Sequence, residues 1–428
     1  TSVESIDLAE DRRRFAELLH HLKIKQPANG TAYNADQAVQ IAGSMGYPVL
    51  VRPSFVLGGR AMETVFDEQQ LRQYMLAALG ASDLDDQPIL VDKFLFHAIE
   101  CDVDIVADFG PPAGSPRSQA GDSPKPTALI CGVMEHIEEA GVHSGDSACA
   151  LPPFDTPAEH IETMRRYTHA LARGLDVVGL MNVQYAIYQD EVYVIEVNPR
   201  ASRTVPFVSK AIGRPLAKIA ARVMVGKSLR EQDFTEEIVP NHVSVKEAVL
   251  PFMKFPGADS LLGPEMKSTG EVMGIGPDFG TAFLKAQMGA GSVLPASGRI
   301  FISVADCDKE EVVPVARGLC EAGFELVATQ GTRDFLNRHD IEAESVLKVH
   351  EGRPHIEDAI RSRQVGLVIN TPLDESSQYD DFVVRRAAVM NNVPYTTTMA
   401  GARAAVAGIE ALQRADLSVQ ALQDYHRA

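Results

Sequence analysis

Gln184, Glu196 and Asn198 are the residues best placed for chemistry. They lie in two apolar-rich segments, Met181–Tyr188 and Val192–Asn198, separated only by Gln189, Asp190 and Glu191. So short a connection predicts a β-hairpin. If Tyr188 faces Val192, Gln184 falls opposite Glu196, and Asn198 follows two positions along on the same face. The other face then reads Val183, Tyr185, Ile187, Tyr193, Ile195 and Val197, all apolar. Facing Cβ atoms in such a pair stand roughly 4.5–5.5 Å apart. A carboxylate and two amides at that spacing offer hard oxygen ligands suited to Mg²⁺, which keeps few protein ligands and shares the rest with water and phosphate. Arg200 and Arg203 follow directly, as cations for phosphate oxygens. The same alternation is ordinary in any half-exposed sheet, so the hairpin alone does not decide the matter.

Other segments add to it. Val49–Met62 runs from a strand containing Arg52, through Gly58 and Gly59, to Arg60 and a second strand. Paired glycines let a backbone lie close over phosphates, but a plain hairpin turn reads the same. Asp92, Lys93 and Leu95 end a strand, and Glu100, Asp102 and Asp104 alternate after them. A strand end can hold an adenine and a carboxylate can hold ribose hydroxyls, although in isolation this reads as a solvated acidic edge. Met134–Ser147 contains Glu138, Gly141, Val142, His143, Ser144 and Asp146 after an apolar strand. Such a loop can bind a polar ligand and relay a proton.

The elements that must position these residues follow from periodicity and punctuation. Helices are expected over Ser5–Leu22, Ala35–Met45, Glu68–Leu79, Thr156–Gly174 and Pro215–Val225. Strands are expected at Pro48–Val51, Glu63–Phe66, Ile89–Asp92, Val103–Ala107 and Ala128–Met134. Residues 110–126, rich in Pro, Gly and Ser, read as a surface insertion. Residues 240–291 are mixed. Beyond residue 291, strands at Ile300–Val304, Phe324–Ala328, Val346–Val349, Val365–Ile369 and Pro394–Thr397 alternate with helices, the mark of a doubly wound parallel sheet. Strand ends there carry Ser303, Thr329, Thr332, Lys348, Asn370 and Thr397. With Lys309 they form a crevice for a phosphorylated small molecule, though ordinary helix capping by Thr and Asn accounts for some of them.

At 428 residues with 45% hydrophobic and 23% charged content, the chain suits two or three globular domains. A net charge of −18 argues against nucleic acid or an anionic membrane as partner. The five scattered cysteines form no CxxC pair and indicate reduced thiols and a cytoplasmic location. No leader or spanning segment is visible, and the helical start at Thr1 suggests a piece of something longer.

Taken together, the segments resemble the C-terminal half of the large subunit of carbamoyl-phosphate synthetase. The matching stretches include Val51-Arg-Pro-Ser54, Leu57–Met62, Met134–Glu138, Gly141–Ser147, Leu180–Gln184, Ile195–Arg200, Arg203–Lys210, Leu262–Met266, Ser268–Met273 and Val349–His355, in order along nearly the whole chain. The resemblance implies an α/β and α+β multidomain protein, with an ATP-grasp fold followed by a methylglyoxal-synthase-like domain. Its divisions would be 1–226 for nucleotide binding, 227–291 for the rest of the synthetic domain and 292–428 for allosteric control. It implies an ATP-dependent ligase that phosphorylates carbamate for arginine and pyrimidine biosynthesis. The cofactors would be ATP and Mg²⁺ or Mn²⁺, with K⁺ as a further candidate.

By the same resemblance, Gln184, Glu196 and Asn198 are the metal ligands. Arg12, Arg52, Asp92, Lys93, Leu95, Glu100, Gly141, Val142, His143 and Ser144 form the nucleotide site, and Arg200 and Arg203 clamp the reacting oxygens. Glu138, Asp146, Glu247, Leu250 and Thr397 resemble an ornithine site. Lys309, Thr329, Thr332, Lys348 and Asn370 resemble a site for nucleotide monophosphates, from which Pro372 departs where a hydroxyl is expected. The implied partners are the N-terminal synthetase half, a glutamine amidotransferase small subunit, those effectors and a homo-oligomer, with no nucleic acid and no membrane. The alternatives are a silent effector-binding fragment or another ATP-grasp ligase such as a biotin carboxylase.

Overall fold

The computed structural model describes residues 1–53, 61–81, 88–109, 127–255, 257–372, 378–414 and 417–427. The Gly58–Arg60 turn and the 110–126 segment singled out in the sequence lie outside the described residues. The first helical stretch is two helices, α1 (Val3–Glu10) and α2 (Arg12–Leu22), rather than one. Asp11 breaks it at φ −74°, ψ 111°, and its carboxylate accepts the Arg14 N–H at 2.9 Å. An aspartate there gains more as a cap than as a mid-helix residue.

A small antiparallel sheet has the order β1 (Asn29–Ala32), β4 (Ile89–Lys93), β2 (Val49–Pro53), β3 (Glu63–Val65). Helices α3 (Ala35–Met45) and α4 (Glu68–Ala81) complete this lobe. Asn34 caps α3 and Gly46, at φ 76°, ends it. Val49, Val51, Val65, Leu71, Met75 and Val91 fill its interior.

The central sheet has seven antiparallel strands. Its elements are β5 (Ile99–Asp108), β6 (Ala128–Glu139), β7 (Cys149–Leu151), β8 (Val178–Tyr188), β9 (Glu191–Asn198), β10 (Val243–Val249) and β11 (Gly270–Gly276), in spatial order β11-β10-β7-β6-β5-β8-β9. Helix α5 (Ala158–Gly174) covers one face, and α6 (Val205–Ala211) and α7 (Leu216–Met224) the other. This sheet crosses the expected divide at residue 226. Helix α8 (Phe279–Ala290) packs on β10 and β11 so closely that a Cβ on Gly274 would lie 2.0 Å from the Ala282 carbonyl.

The last unit is a parallel sheet, β14 (Glu344–Ser345), β13 (Glu325–Ala328), β12 (Arg299–Ser303), β15 (Leu367–Asn370), β16 (Tyr395–Thr396) in spatial order. Helices α9 (Lys309–Glu321), α10 (Gln330–Arg338), α11 (Ile356–Arg361), α12 (Gln378–Met390) and α13 (Met399–Arg414) wind around it, with a short α14 (Leu422–Tyr425) beyond. The strand expected at Val346–Val349 is displaced. The ladder ends at Ser345, and Val349–Glu351 is a 3-10 turn. Helix α13 packs against α8, placing Phe283, Leu294, Ile300 and Ile409 in one core shared by the two units. Each such side chain contributes roughly 1.5–3 kcal/mol, so packing rather than any single ion pair holds this junction.

The hairpin differs instructively from its expected form. Tyr188 faces Glu191, not Val192, and the connection is the two-residue turn Gln189-Asp190 with both φ values positive, 49° and 64°. A regular ladder from that turn would place Ile195 opposite Gln184. A bulge restores the pairing: Tyr185 faces Val194, and Gln184 faces Glu196. The bulge also reassigns the faces. Val192, Val194 and Val197 join Val183, Tyr185 and Ile187 in the core, while Tyr193 and Ile195 pack with Leu95, Ala98 and Ala186 on the opposite side. The expected apolar face is therefore wrong at Tyr193 and Ile195.

Candidate active site

A cavity of about 370 Å³ lies between the small lobe and the central sheet. Arg12, Arg52, Asp92, Lys93, Leu95, Glu100, Gly141, Val142, His143, Ser144, Gln184, Glu196, Asn198, Arg200 and Arg203 all line it. Each expected nucleotide, metal and clamp residue is thus in one cleft. Glu138, Asp146 and Glu247 stand apart from it.

At the lobe side, Arg12 is ion-paired with Asp92, and Arg52 Nε lies 3.9 Å from the same carboxylate. Burial lowers the Arg12 pKa while Asp92 acts against it. The Lys93 ammonium donates to the carbonyls of Gly46, Tyr47 and Pro48 at 2.9, 3.3 and 3.4 Å, and so ties the strand end to the end of α3. Gly141, at φ 108°, has no room for a side chain, since a Cβ there would lie 2.8 Å from the Phe94 ring. His143 accepts the Gly145 N–H on Nδ1 at 3.0 Å, which leaves the proton on Nε2. Desolvation lowers its pKa, in keeping with a neutral ring.

The acidic stretch after β4 is not a solvated edge. Glu100, Asp102 and Asp104 are all buried. The buried His136 lies 3.3 Å from Asp102 and 3.8 Å from Glu100. Burial pushes Glu100 up to about 7, against the charge of His136. Burial also pushes Asp104 up to about 6, and three donors oppose it: Asn182 at 3.0 Å, Ser202 at 2.9 Å and Thr204 at 2.7 Å. Sequence reasoning singled out Asp104 but missed its partners Asn182, Ser202 and Thr204. The available signal was the period-2 spacing of Glu100, Asp102 and Asp104, which puts all three on one face of a strand that proves to be internal.

The donor set fits a hard divalent cation. Gln184 and Glu196 are directly opposed, and Asn198 is opposite Asn182. Arg200 donates to Asn198 Oδ1 at 2.8 Å, leaving the second lone pair of that oxygen for a metal.

The residues expected at effector sites fall in two places. Ala148 N–H donates to Glu138 at 2.6 Å, Lys267 and Ser268 N–H groups donate to Asp146 at 2.7 and 2.9 Å, and Gln287 donates to Glu247 at 2.8 Å. Both Asp146 oxygens are therefore already engaged by backbone. Leu250 and Thr397 are half-buried. In the last unit, Thr329, Lys348 and Asn370 line a cavity of only about 10 Å³ with Ser303, Asp380 and Asp381. Thr332 lies beside Thr329, their hydroxyls 3.5 Å apart, and Lys309 is paired with Asp306. The two aspartates were not foreseen. They accept hydroxyls and oppose phosphate. Pro372 is exposed.

Among the described residues no helix is long and apolar enough to cross a membrane. Residues 11–232 match the family described as carbamoyl-phosphate synthase L chain, ATP binding domain, and residues 311–397 match the MGS-like domain. The chain is 54% identical over 426 residues to the carbamoyl phosphate synthase large chain of Synechocystis and 54% identical over 427 residues to that of Archaeoglobus fulgidus. It spans 38% of the length of each. Among solved structures it is similar to the biotin carboxylase domain of Hydrogenobacter thermophilus 2-oxoglutarate carboxylase, with a TM-score of 0.50 at 17% identity over 65% of each chain. That likeness concerns the fold, which is ATP-grasp. The chain belongs to the carbamoyl-phosphate synthase L chain family, through its ATP-binding domain.

Proposed function

We propose that this cleft binds MgATP and transfers its γ-phosphoryl group to carbamate, giving carbamoyl phosphate and ADP. A carbamate oxygen forms the new P–O bond as the bond to the ADP oxygen breaks. The observation that carries the reading is the opposed Gln184–Glu196 pair beside Arg200 and Arg203, in one cavity with Arg12 and Arg52. A bound divalent metal supplies charge neutralisation and orientation for the phosphates, and Gln184, Glu196 and Asn198 would hold it. Mn²⁺ can replace Mg²⁺ on such oxygens, and K⁺ is a further candidate ion. Arg200 and Arg203 face charge that develops on the transferring group. Leu95, Ala186 and Ile195 give an apolar wall for a base.

In this reading residues 1–226 and 227–291 act together in catalysis and 292–428 as the allosteric unit. Ornithine meets Glu138 and Glu247, and nucleotide monophosphates meet the crevice at Thr329, Lys348 and Asn370. The protein works in the cytoplasm with the N-terminal synthetase half and a glutaminase subunit. The reading is tested by ATP formation from MgADP and carbamoyl phosphate. Loss of activity in Glu196→Ala with nucleotide binding preserved supports it, and undiminished activity overturns it. Binding of effectors without turnover by the parent chain would favour the effector-binding alternative.

A further inference from the structure

Three metal-ligating side chains of different chemistry meet where the small lobe touches the last α/β unit. His97 lies in the turn between β4 and β5, while Cys307 and Asp308 lie in the 3-10 turn Asp306–Asp308 before α9. Their ligand atoms are all within 4.8 Å of one another. Zinc bonds of about 2.0–2.3 Å set tetrahedral ligands roughly 3.5 Å apart. Rotamer adjustment of His97 and Cys307, both exposed, can close that gap. Asp308 is buried and gives the cluster a fixed base.

We propose that His97, Cys307 and Asp308 form a zinc site that joins the nucleotide-binding part of the chain to its last α/β unit.

A second observation points the same way. His97 Nδ1 lies 3.0 Å from Glu139 Oε1. A histidine held by a carboxylate on one nitrogen presents the other to a metal, with its ring orientation and tautomer fixed. The surrounding field is negative. The hydrogen bond to Glu139 raises the His97 pKa, with the charges of Asp308 and Glu311 adding to it. Burial raises the Cys307 thiol, and the Asp308 charge raises it further. A dication reverses both preferences: it neutralises the carboxylates, takes the imidazole as a neutral ligand and displaces the thiol proton. Thiolate and imidazole select zinc over magnesium, whereas the oxygen ligands at Gln184, Glu196 and Asn198 select the reverse.

The test uses the 428-residue chain stripped of metal by a chelator and titrated with Co²⁺, then Zn²⁺. The expected result is a near-ultraviolet thiolate-to-cobalt band with tetrahedral visible bands, displaced by stoichiometric Zn²⁺. Cys307→Ser abolishes the thiolate band and Cys320→Ser leaves it. His97→Ala weakens zinc binding by about tenfold or more. Zinc also raises the urea midpoint of the parent but not of Cys307→Ser, a readout that holds whether or not the enzyme turns over. Absence of the thiolate band, or equal zinc affinity in the parent, His97→Ala and Cys307→Ser, overturns the proposal and moves the cation to Glu100, Asp102 and His136 or to the magnesium ligands.

Discussion

Arg385 donates two hydrogen bonds to Asp259, Nε to Oδ1 at 3.0 Å and Nη2 to Oδ2 at 2.7 Å. Its remaining nitrogen lies 3.4 Å from Asn370 Oδ1. One guanidinium therefore touches both the crevice at Asn370 and the segment that leads to Lys267 and Ser268, whose amides hold Asp146 in the His143–Ser147 loop. Asp259→Ala leaves the 5%-exposed Arg385 charged and unpaired. The expected loss is about 1–2 kcal/mol by urea denaturation, moderated because Asp259 is itself 35% exposed. Burial acts to raise the Asp259 pKa, but Arg385 outweighs it and holds the value below the usual carboxylate range. The pair's contribution is therefore full above the ordinary aspartate range and lost as pH falls through the lowered value. In Asp259→Ala that acid-limb loss should be smaller than in the parent.

Asp104 is a second place where one carboxylate fixes several partners. It accepts from Asn182, Ser202 and Thr204, and so pins the loop bearing Arg203 to the strand bearing Gln184. Asp104→Asn keeps the shape but turns one acceptor into a donor. We expect about 2 kcal/mol of destabilisation. In the ATP-forming assay kcat should fall about tenfold or more through misplacement of Arg203, with KM for MgADP near the parent value. A rise in KM with unchanged kcat would show that the loop serves binding instead.

Glu138 and Glu247 carry a pH signature of the opposite sign. Burial pushes Glu138 up to about 7 and Glu247 up to about 8, and the charge of Glu138 adds to the rise at Glu247. A carboxylate raised above its unfolded value of 4.5 binds more protons when folded. Stability is therefore full below that value and declines as pH rises through about 7 to 8. Denaturation midpoints taken from pH 5 to pH 8.5 should fall in the parent, and Glu247→Gln should flatten the slope. A cation bound between the two acids should do the same, so ornithine is expected to stabilise the parent more at pH 8 than at pH 5.

The sequence was most informative where one element settles one question. Helix α3 spans Ala35–Met45 as expected, and the β/α alternation after residue 291 identifies a parallel sheet. It was least informative where neighbours decide. Whether Glu100, Asp102 and Asp104 face water depends on β5 lying between β6 and β8, an order the strand itself does not encode. The strand end at Lys93 was legible, but not that its ammonium would be held by three carbonyls at the end of α3. The strands of residues 240–291 were obscured by Gly270, Gly274 and Gly276, two of which serve the close approach of α8 rather than a turn. The pairing of Gln184 with Glu196 was reached with the wrong turn length, because the shorter turn and the bulge at Ile195 offset each other.

That turn yields the last prediction. Gln189 and Asp190 both have positive φ, the mirror-image turn that matches the twist of a two-residue hairpin. Glutamine is poorly suited to it, and its side chain gains only a 3.3 Å contact with the Tyr188 hydroxyl. Asp190 tolerates the conformation and also receives His160 at 2.9 Å, so it should be kept. Gln189→Asn is expected to stabilise the protein by about 0.5 kcal/mol, since asparagine enters the left-handed region at lower cost. Gln189→Val should destabilise by about 1 kcal/mol, because a β-branched side chain strains that backbone. Had the connection been three residues with Val192 facing Tyr188, position 189 would have no such requirement and the two substitutions would differ little. Thermal unfolding of the pair reads the register directly. A difference of several tenths of a kcal/mol or less between them would contradict the two-residue turn, and with it the need for a bulge to bring Glu196 opposite Gln184.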